Sequence, residues 1–243
     1  MKQVSFICSY TNPKLVDELK KSVNDFQSYH IEWVMIDNSC GNYSSAASAL
    51  NAGAHMSTTD ILIFLHQDIE FDSEKTLDLI CQEAKKGKIV GVAGRKINGG
   101  ALVTSIDDGL NRERHHSYPF QSSYEDVLTC DECLIAMTRE VYNNVEGFNE
   151  TVFDGWHFYG VDLCLRAYKK GIQSCVIQSK LWHKSKGSHD KNWKRYEEKL
   201  RQIYRNDFRV IFYPCGRCYT NPVLFHCTRL LRPIRKLLLT GKE

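Results

Sequence analysis

The run Ile61-Leu62-Ile63-Phe64-Leu65 constrains this chain more than any other stretch. Five consecutive apolar residues are too few for a free-standing helix and read as a strand buried on both faces. The run stops abruptly at His66-Gln67-Asp68. Two metal-ligating side chains and an amide thus arrive at the strand's carboxyl end, where open α/β sheets bind ligands. Asp60 before the run and Asp72 after it read as ordinary boundary residues. Asp68 alone fits a solvated turn acid equally well, so its meaning depends on the surrounding chain.

That chain alternates. Val4 to Cys8 is a short apolar run with the polar exit Ser9-Tyr10-Thr11-Asn12-Pro13, and Pro13 sits where a helix can begin. Leu15, Leu19, Val23 and Phe26 follow at helical spacing. A second strand, Ile31 to Ile36, exits into Asp37-Asn38-Ser39, and a small-residue helix from about Ser44 to Met56 leads into the central run. This order favours right-handed crossovers and a parallel sheet, with all three strands delivering polar residues to one edge. A helix over Ser73–Lys86 closes at Gly87, and Ile89 to Ala93 is a further strand.

From Gly94 to Thr129 the periodicity is weak. Gly99-Gly100, Asp107-Asp108-Gly109 and Arg112-Glu113-Arg114-His115-His116 suggest loops able to cover a site. Regular pattern returns at Glu132 to Met137, followed by a short helix capped by Thr138 and stopped at Gly147. Val161 to Lys170 reads as a helix, Ile172 to Ile177 as a strand, and Trp193, Tyr196, Leu200, Ile203 and Tyr204 as a helix face beginning near Asp190.

Composition removes several classes. The 243 residues suffice for one sizeable core, and a formal charge of +3 is too small to mark a nucleic-acid protein. Lys14, Asp17, Glu18, Lys20 and Lys21 interrupt the N-terminal region, which argues against an export signal. No apolar segment reaches the ~18 residues of a membrane-spanning helix. The 10 cysteines are expected to be reduced thiols.

The ordered motifs resemble the GT-A-fold glycosyltransferases, in particular the glycosyltransferase family 2-like proteins. The resemblance rests on Phe6-Ile7-Cys8-Ser9-Tyr10, Val34-Met35-Ile36-Asp37-Asn38-Ser39, Asn51-Ala52-Gly53 and Phe64-Leu65-His66-Gln67-Asp68. It continues through Cys133 to Glu140, Val145 to Glu150, Tyr159 to Arg166 and Trp182-His183, from residue 4 to about 190. It implies an α/β domain over residues 1–213 with a mostly parallel central sheet flanked by helices, followed by a C-terminal helical appendage.

The resemblance also implies roles. Ser9, Tyr10, Asp37, Asn38, Asn51, Gly53 and Gln67 fall on the nucleotide-sugar side, with Asp37 facing the base or ribose. Asp68 stands for the last acid of the family's Asp-x-Asp motif and His183 for the histidine that completes the metal site. His66 replaces the first acid, and whether it is a ligand, a phosphate contact or a neighbour stays open. Asp162 matches the general base, so Asp68, His183 and Asp162 are expected around one crevice. Asp131, Glu132, Trp156 and Tyr159 are candidates for the acceptor side, although strand-end acids and core aromatics fit the same positions.

The implied activity is inverting transfer of a sugar from a nucleotide-sugar donor, UDP-linked by preference, to a hydroxyl of a saccharide or lipid-linked acceptor, in the setting of surface polysaccharide synthesis. Mn²⁺ or Mg²⁺ would neutralise the departing diphosphate, with imidazole tilting the choice toward Mn²⁺. A nucleotidyltransferase making nucleotide sugars is the rival enzyme, but Ser9-Tyr10-Thr11-Asn12-Pro13 lacks its glycine-rich phosphate loop. A non-catalytic nucleotide-sugar-binding module is the other rival.

Residues 214–243 form a basic, amphipathic segment. Leu224, Cys227, Leu231, Ile234 and Leu238 make an apolar stripe beside Arg229, Arg232, Arg235 and Lys236. This pattern suits a terminal helix packed on the domain, or a peripheral membrane contact through 223–239. The expected location is cytoplasmic, at the inner membrane face if that stripe rests on lipid. Cys215 and Cys218 form a Cys-x-x-Cys without a second pair at zinc spacing, which is poor support for a zinc site.

Overall fold

The computed structural model describes residues 1–114, 117–185 and 191–228. Seven strands build the central sheet: β1 (Lys2–Tyr10), β2 (Tyr29–Asp37), β3 (Ile61–Leu65), β4 (Ile89–Gly91), β5 (Tyr124–Val127), β6 (Leu134–Thr138) and β7 (Ser174–Ile177). Their spatial order is β5-β7-β4-β6-β3-β1-β2. β2, β1 and β3 run parallel, as do β4 and β7. β6 is antiparallel to both of its neighbours, and β5 is antiparallel to β7.

The helices are α1 (Pro13–Ser22), α2 (Ala46–Met56), α3 (Lys75–Ala84), α4 (Arg139–Asn144), α5 (Tyr159–Lys169) and α6 (Trp193–Ile203). Local chemistry starts several of them. Asn12 accepts the Lys14 amide with Pro13 in the first turn, Ser45 accepts the Ser48 amide, and Thr138 accepts the Val141 amide.

The sheet separates two apolar layers. Val4, Phe6 and Cys8 point with Ile61, Ile63 and Leu65 into one layer, against Leu19, Leu77 and Ile80. Ile7, Leu62 and Phe64 point into the other, against Leu50, Ala54 and Phe148. All five β3 residues are buried, the two-faced burial expected of a central strand in a sheet covered on both sides.

The weakly periodic region is not one loop. It contains the short strands Ala93–Arg95, Leu102–Thr104, Asp107–Asp108 and Glu113–Arg114, too brief to leave an alternating signature. His115 and His116 lie outside the described residues, as does Asp190, the expected start of α6.

Two expectations need correction. Val210–Tyr213 pairs antiparallel with Gly216–Tyr219, so a boundary after residue 213 would cut a hairpin. This hairpin belongs to the domain, because Thr129 Oγ1 donates to the Phe212 carbonyl at 2.8 Å and Arg95 to the Pro214 carbonyl. Of segment 223–239, residues from 229 onward lie outside the described residues; within them Val223 and Leu224 are exposed and Phe225 is buried. Among the described residues no helix is long and apolar enough to cross a membrane.

The second correction concerns Asn51 and Gly53, expected on the nucleotide side. Asn51 instead ties α2 to the turn after α4. Its amide donates to the Phe148 carbonyl, and its oxygen accepts the Phe148 amide and the Tyr142 hydroxyl. Gly53 lets α2 settle on β1, since a Cβ there would run into Ile7 Cγ2. Gly53→Ala is therefore expected to cost about 1–3 kcal/mol of folding stability, measurable as a lowered urea midpoint. An unchanged midpoint would show that the α2–β1 contact is loose.

Candidate active site

A cleft of about 810 Å³ opens at the carboxyl ends of β1 and β3. Its floor comes from a second, four-stranded sheet in the order Ile69–Phe71, Leu181–His183, Asp107–Asp108, Glu113–Arg114. His183 lies opposite Ile69 on one side and Asp108 on the other, and the Lys184 amide donates to the Asp68 carbonyl at 3.0 Å. Residues distant in sequence thus become neighbours through backbone ladders, before any side chain is considered.

His66, Asp68 and His183 each offer one ligand atom within 4.8 Å of the others. His183 Nε2 is 3.5 Å from Asp68 Oδ1, and the two imidazole rings lie 5.5 Å apart. Asp108 Oδ1 sits 3.0 Å from His183 Nδ1, the arrangement in which a carboxylate fixes the tautomer and aims the other nitrogen at an ion. Burial pushes both imidazoles toward neutrality. At His66 it prevails, reinforced by the nearby His183, and the pKa falls. At His183 the Asp108 hydrogen bond and the charge of Asp68 outweigh burial, and the pKa rises. Two imidazoles and a carboxylate form a donor set that a divalent transition metal fits better than Mg²⁺ does.

The opposite wall depends on strand direction. Because β6 is antiparallel to β3, Leu134 lies beside Leu65, and the residues that enter β6 arrive where β3 ends. The His66 amide donates to the Cys133 carbonyl at 2.9 Å, and Asp131 and Glu132 face the cleft. Burial, with help from the charge of Asp131, pushes the Glu132 carboxyl up to about 8.

Of the expected nucleotide contacts, Ser9 and Gln67 line the cleft. The Ser9 hydroxyl is buried without a hydrogen-bond partner. Gln67 Oε1 accepts the Thr11 and Asn12 amides, shaping the loop after β1. Tyr10 and Asp37 face each other across β1 and β2 at the same sheet edge, outside the cleft lining. Asn38 is absorbed into its own turn, exchanging hydrogen bonds with the Tyr43 backbone. Both aromatic candidates line the cleft, but they differ in exposure. Trp156 is 41% exposed, whereas Tyr159 is 3% exposed and packs edge-on against Phe148.

Asp162 is not brought to the cleft. It is 1% exposed and absent from the lining. Its Oδ2 accepts from Arg166 Nε at 2.8 Å and its Oδ1 from the Tyr204 hydroxyl at 2.7 Å. Arg166 also holds the Val145 and Gly147 carbonyls. With both carboxylate oxygens occupied in the interior, Asp162 holds Tyr204 and the Arg166 guanidinium, and Arg166 in turn ties α5 to the turn after α4. This placement does not suit the general-base role expected of Asp162.

Sequence reasoning passed over Asp108, His157 and Trp193, all of which line the cleft. His157 packs edge-on against Trp193 at 4.9 Å. The acidic pair before Gly109 was the only available signal for Asp108.

A mostly parallel sheet with an acid and imidazoles at its central carboxyl edge defines the class: the architecture is the GT-A fold. The chain belongs to the Glycosyltransferase like family, whose model matches residues 5–206. The protein described as ATP synthase subunits region ORF 6 from Fuscovulum blasticum is 30% identical over 172 residues, 64% of this chain. That match spans 65% of the relative's own length.

Among solved structures, GalNAc-T7, crystallised with UDP, GalNAc and Mn²⁺, superposes with a TM-score of 0.59 and 10% identity. The superposition covers 84% of this chain and 48% of that one. S. aureus TarS 1-349 in complex with UDP-GlcNAc gives 0.54 and 14% identity, over 84% of this chain and 65% of that one. At such identities the likeness is one of fold.

Two outcomes follow from this geometry. Asp108→Asn should weaken Mn²⁺ binding about 10- to 100-fold in calorimetric titration. Unchanged affinity would leave Asp108 with no part in aiming His183. Asp162→Asn should cost about 3–5 kcal/mol in denaturant unfolding, because it leaves Arg166 without its buried partner. Its folded fraction should bind Mn²⁺ like wild type.

Proposed function

We propose that this chain is a metal-dependent glycosyltransferase. It moves a sugar from a UDP-linked donor to a hydroxyl of a saccharide or lipid-linked acceptor, with inversion at the anomeric carbon. The observation that carries this reading is the charge of the cleft. Among the described residues that line it none is a lysine or arginine, while Asp68, Asp108 and Asp131 all line it. A diphosphate cannot enter so acidic a site without a cation, and His66, Asp68 and His183 form the set able to hold one.

Bound there, Mn²⁺ would supply charge neutralisation for the departing diphosphate. The unpartnered Ser9 hydroxyl supports a polar ligand at the same end, since a buried hydroxyl left without a bond costs stability. Asp37 and Tyr10 lie beyond it, on the side suited to the ribose and base. The exposed ring of Trp156, with His157 and Trp193 behind it, supports a sugar acceptor at the far end. A setting in surface polysaccharide synthesis, and contact of the basic C-terminal segment with the inner membrane face, extend the same reading.

Thermal unfolding with UDP-GlcNAc or UDP-GalNAc tests it. With Mn²⁺ and donor at a hundred times the dissociation constant, stabilisation should reach about 2.7 kcal/mol, a rise of several degrees. With EDTA the rise should vanish, and Asp68→Asn should abolish it in both conditions. Equal protection with and without metal would overturn the cation's role, and no protection by any UDP-sugar would overturn the donor class.

A further inference from the structure

With Asp162 buried away from the cleft, the transfer needs another proton acceptor, and Glu132 in the cleft lining is placed for that task. Glu132 enters from the start of β6 and reaches the start of α5, where its Oε1 accepts the Gly160 amide at 3.1 Å. Gly160 makes this possible, because a Cβ there would lie 2.8 Å from Glu132 Cγ. Along one direction, Cys133 joins Glu132 to the backbone of His66. Along the other, Gly160 joins it to the segment carrying Trp156 and His157. The carboxyl thus lies between the metal-ligating cluster and the aromatic acceptor wall.

Two of the other acids of the cleft are committed to His183. Asp68 and Asp108 both face His183, and Asp131 Oδ1 accepts the Cys133 amide. Glu132 takes part in no ion pair among the described residues.

We infer that Glu132 is the catalytic base of the transfer, an inference that rests on the reading proposed above. Ionised Glu132 takes the proton of the acceptor hydroxyl as that oxygen forms its bond to the anomeric carbon. The bond from that carbon to the diphosphate oxygen breaks, and its electron pair leaves with UDP. The proton then passes from Glu132 to solvent. With the diphosphate at the metal end and the hydroxyl delivered from the Trp156 side, attack comes from the face opposite the leaving group. The carboxyl at about 8 suits a base working near neutral pH, and predicts a rate that climbs about tenfold per pH unit below that value.

The test follows UDP release from UDP-GlcNAc and UDP-GalNAc, with water as acceptor and Mn²⁺ saturating, from pH 6 to 9. Glu132→Gln keeps an oxygen for the Gly160 amide. It should lower kcat about 10²- to 10⁴-fold, leave the donor KM within about threefold, and erase the rise with pH. Glu132→Asp should keep the rise at a reduced rate.

Folding gives a readout free of activity. The folded Glu132 pKa is raised above its unfolded value, so wild type loses stability as pH climbs from about 4.5 to 8. The melting temperature of Glu132→Gln should therefore gain on wild type across that window. Turnover by Glu132→Gln within threefold of wild type, or an acid limb lost in Asp131→Asn instead, overturns the assignment to Glu132 while donor chemistry stands. A wild type that neither binds nor cleaves any UDP-sugar overturns both readings.

Discussion

The cleft depends on one backbone arrangement, the ladder that seats Leu181–His183 between Ile69–Phe71 and Asp107–Asp108. Its hydrogen bonds fix His183 beside Asp108 on one flank and beside the chain leaving Asp68 on the other. The side chains add only the last few ångströms: Asp108 on Nδ1, Asp68 near Nε2. A constellation held by strand pairing loses little entropy when an ion binds, because its ligands are already in place. The four-stranded sheet acts as the rigid base of the site, and the larger sheet behind it supplies stability.

The legible part of the sequence was what strand ends reveal. A two-faced apolar run with an acid at its carboxyl end pointed to Asp68, whereas His183 entered only through the family resemblance. Positions whose meaning depends on strand direction were harder. Glu132 resembles any strand-end acid until β6 is known to run antiparallel beside β3, which turns its first residues toward the cleft. Asp108 sits in a strand of two residues, too short to show alternation. Asp162 misled because an acid in the first turn of a helix reads alike whether it faces a substrate or a buried arginine. Asn51 and Gly53 misled for a related reason: a polar side chain and a glycine are as useful for closing helix against strand as for meeting a nucleotide.

Charge explains why the two ends of the cleft differ. At the metal end, imidazole and carboxylate alternate so that each acid has a nearby nitrogen. At the other end, Asp131 and Glu132 adjoin, and burial together with the charge of Asp131 pushes the Glu132 carboxyl up. A carboxyl kept reluctant to ionise is a poor contributor to stability and a good proton acceptor, so the same burial that penalises folding equips the site.

Arg166 has an effect beyond its own pair with Asp162. One guanidinium clasps that carboxylate together with the Val145 and Gly147 carbonyls, so the turn after α4 and the first turn of α5 are bolted as a unit. Glu132 leans on the amide of Gly160, two residues before Asp162. Any loss of the clasp loosens the shelf under the carboxyl that faces the cleft. A screen scored by turnover alone would rank Asp162 and Arg166 among the essential positions, although neither side chain meets the cleft. Their importance is that of a hinge pin, visible only when abundance and melting behaviour are scored alongside rate.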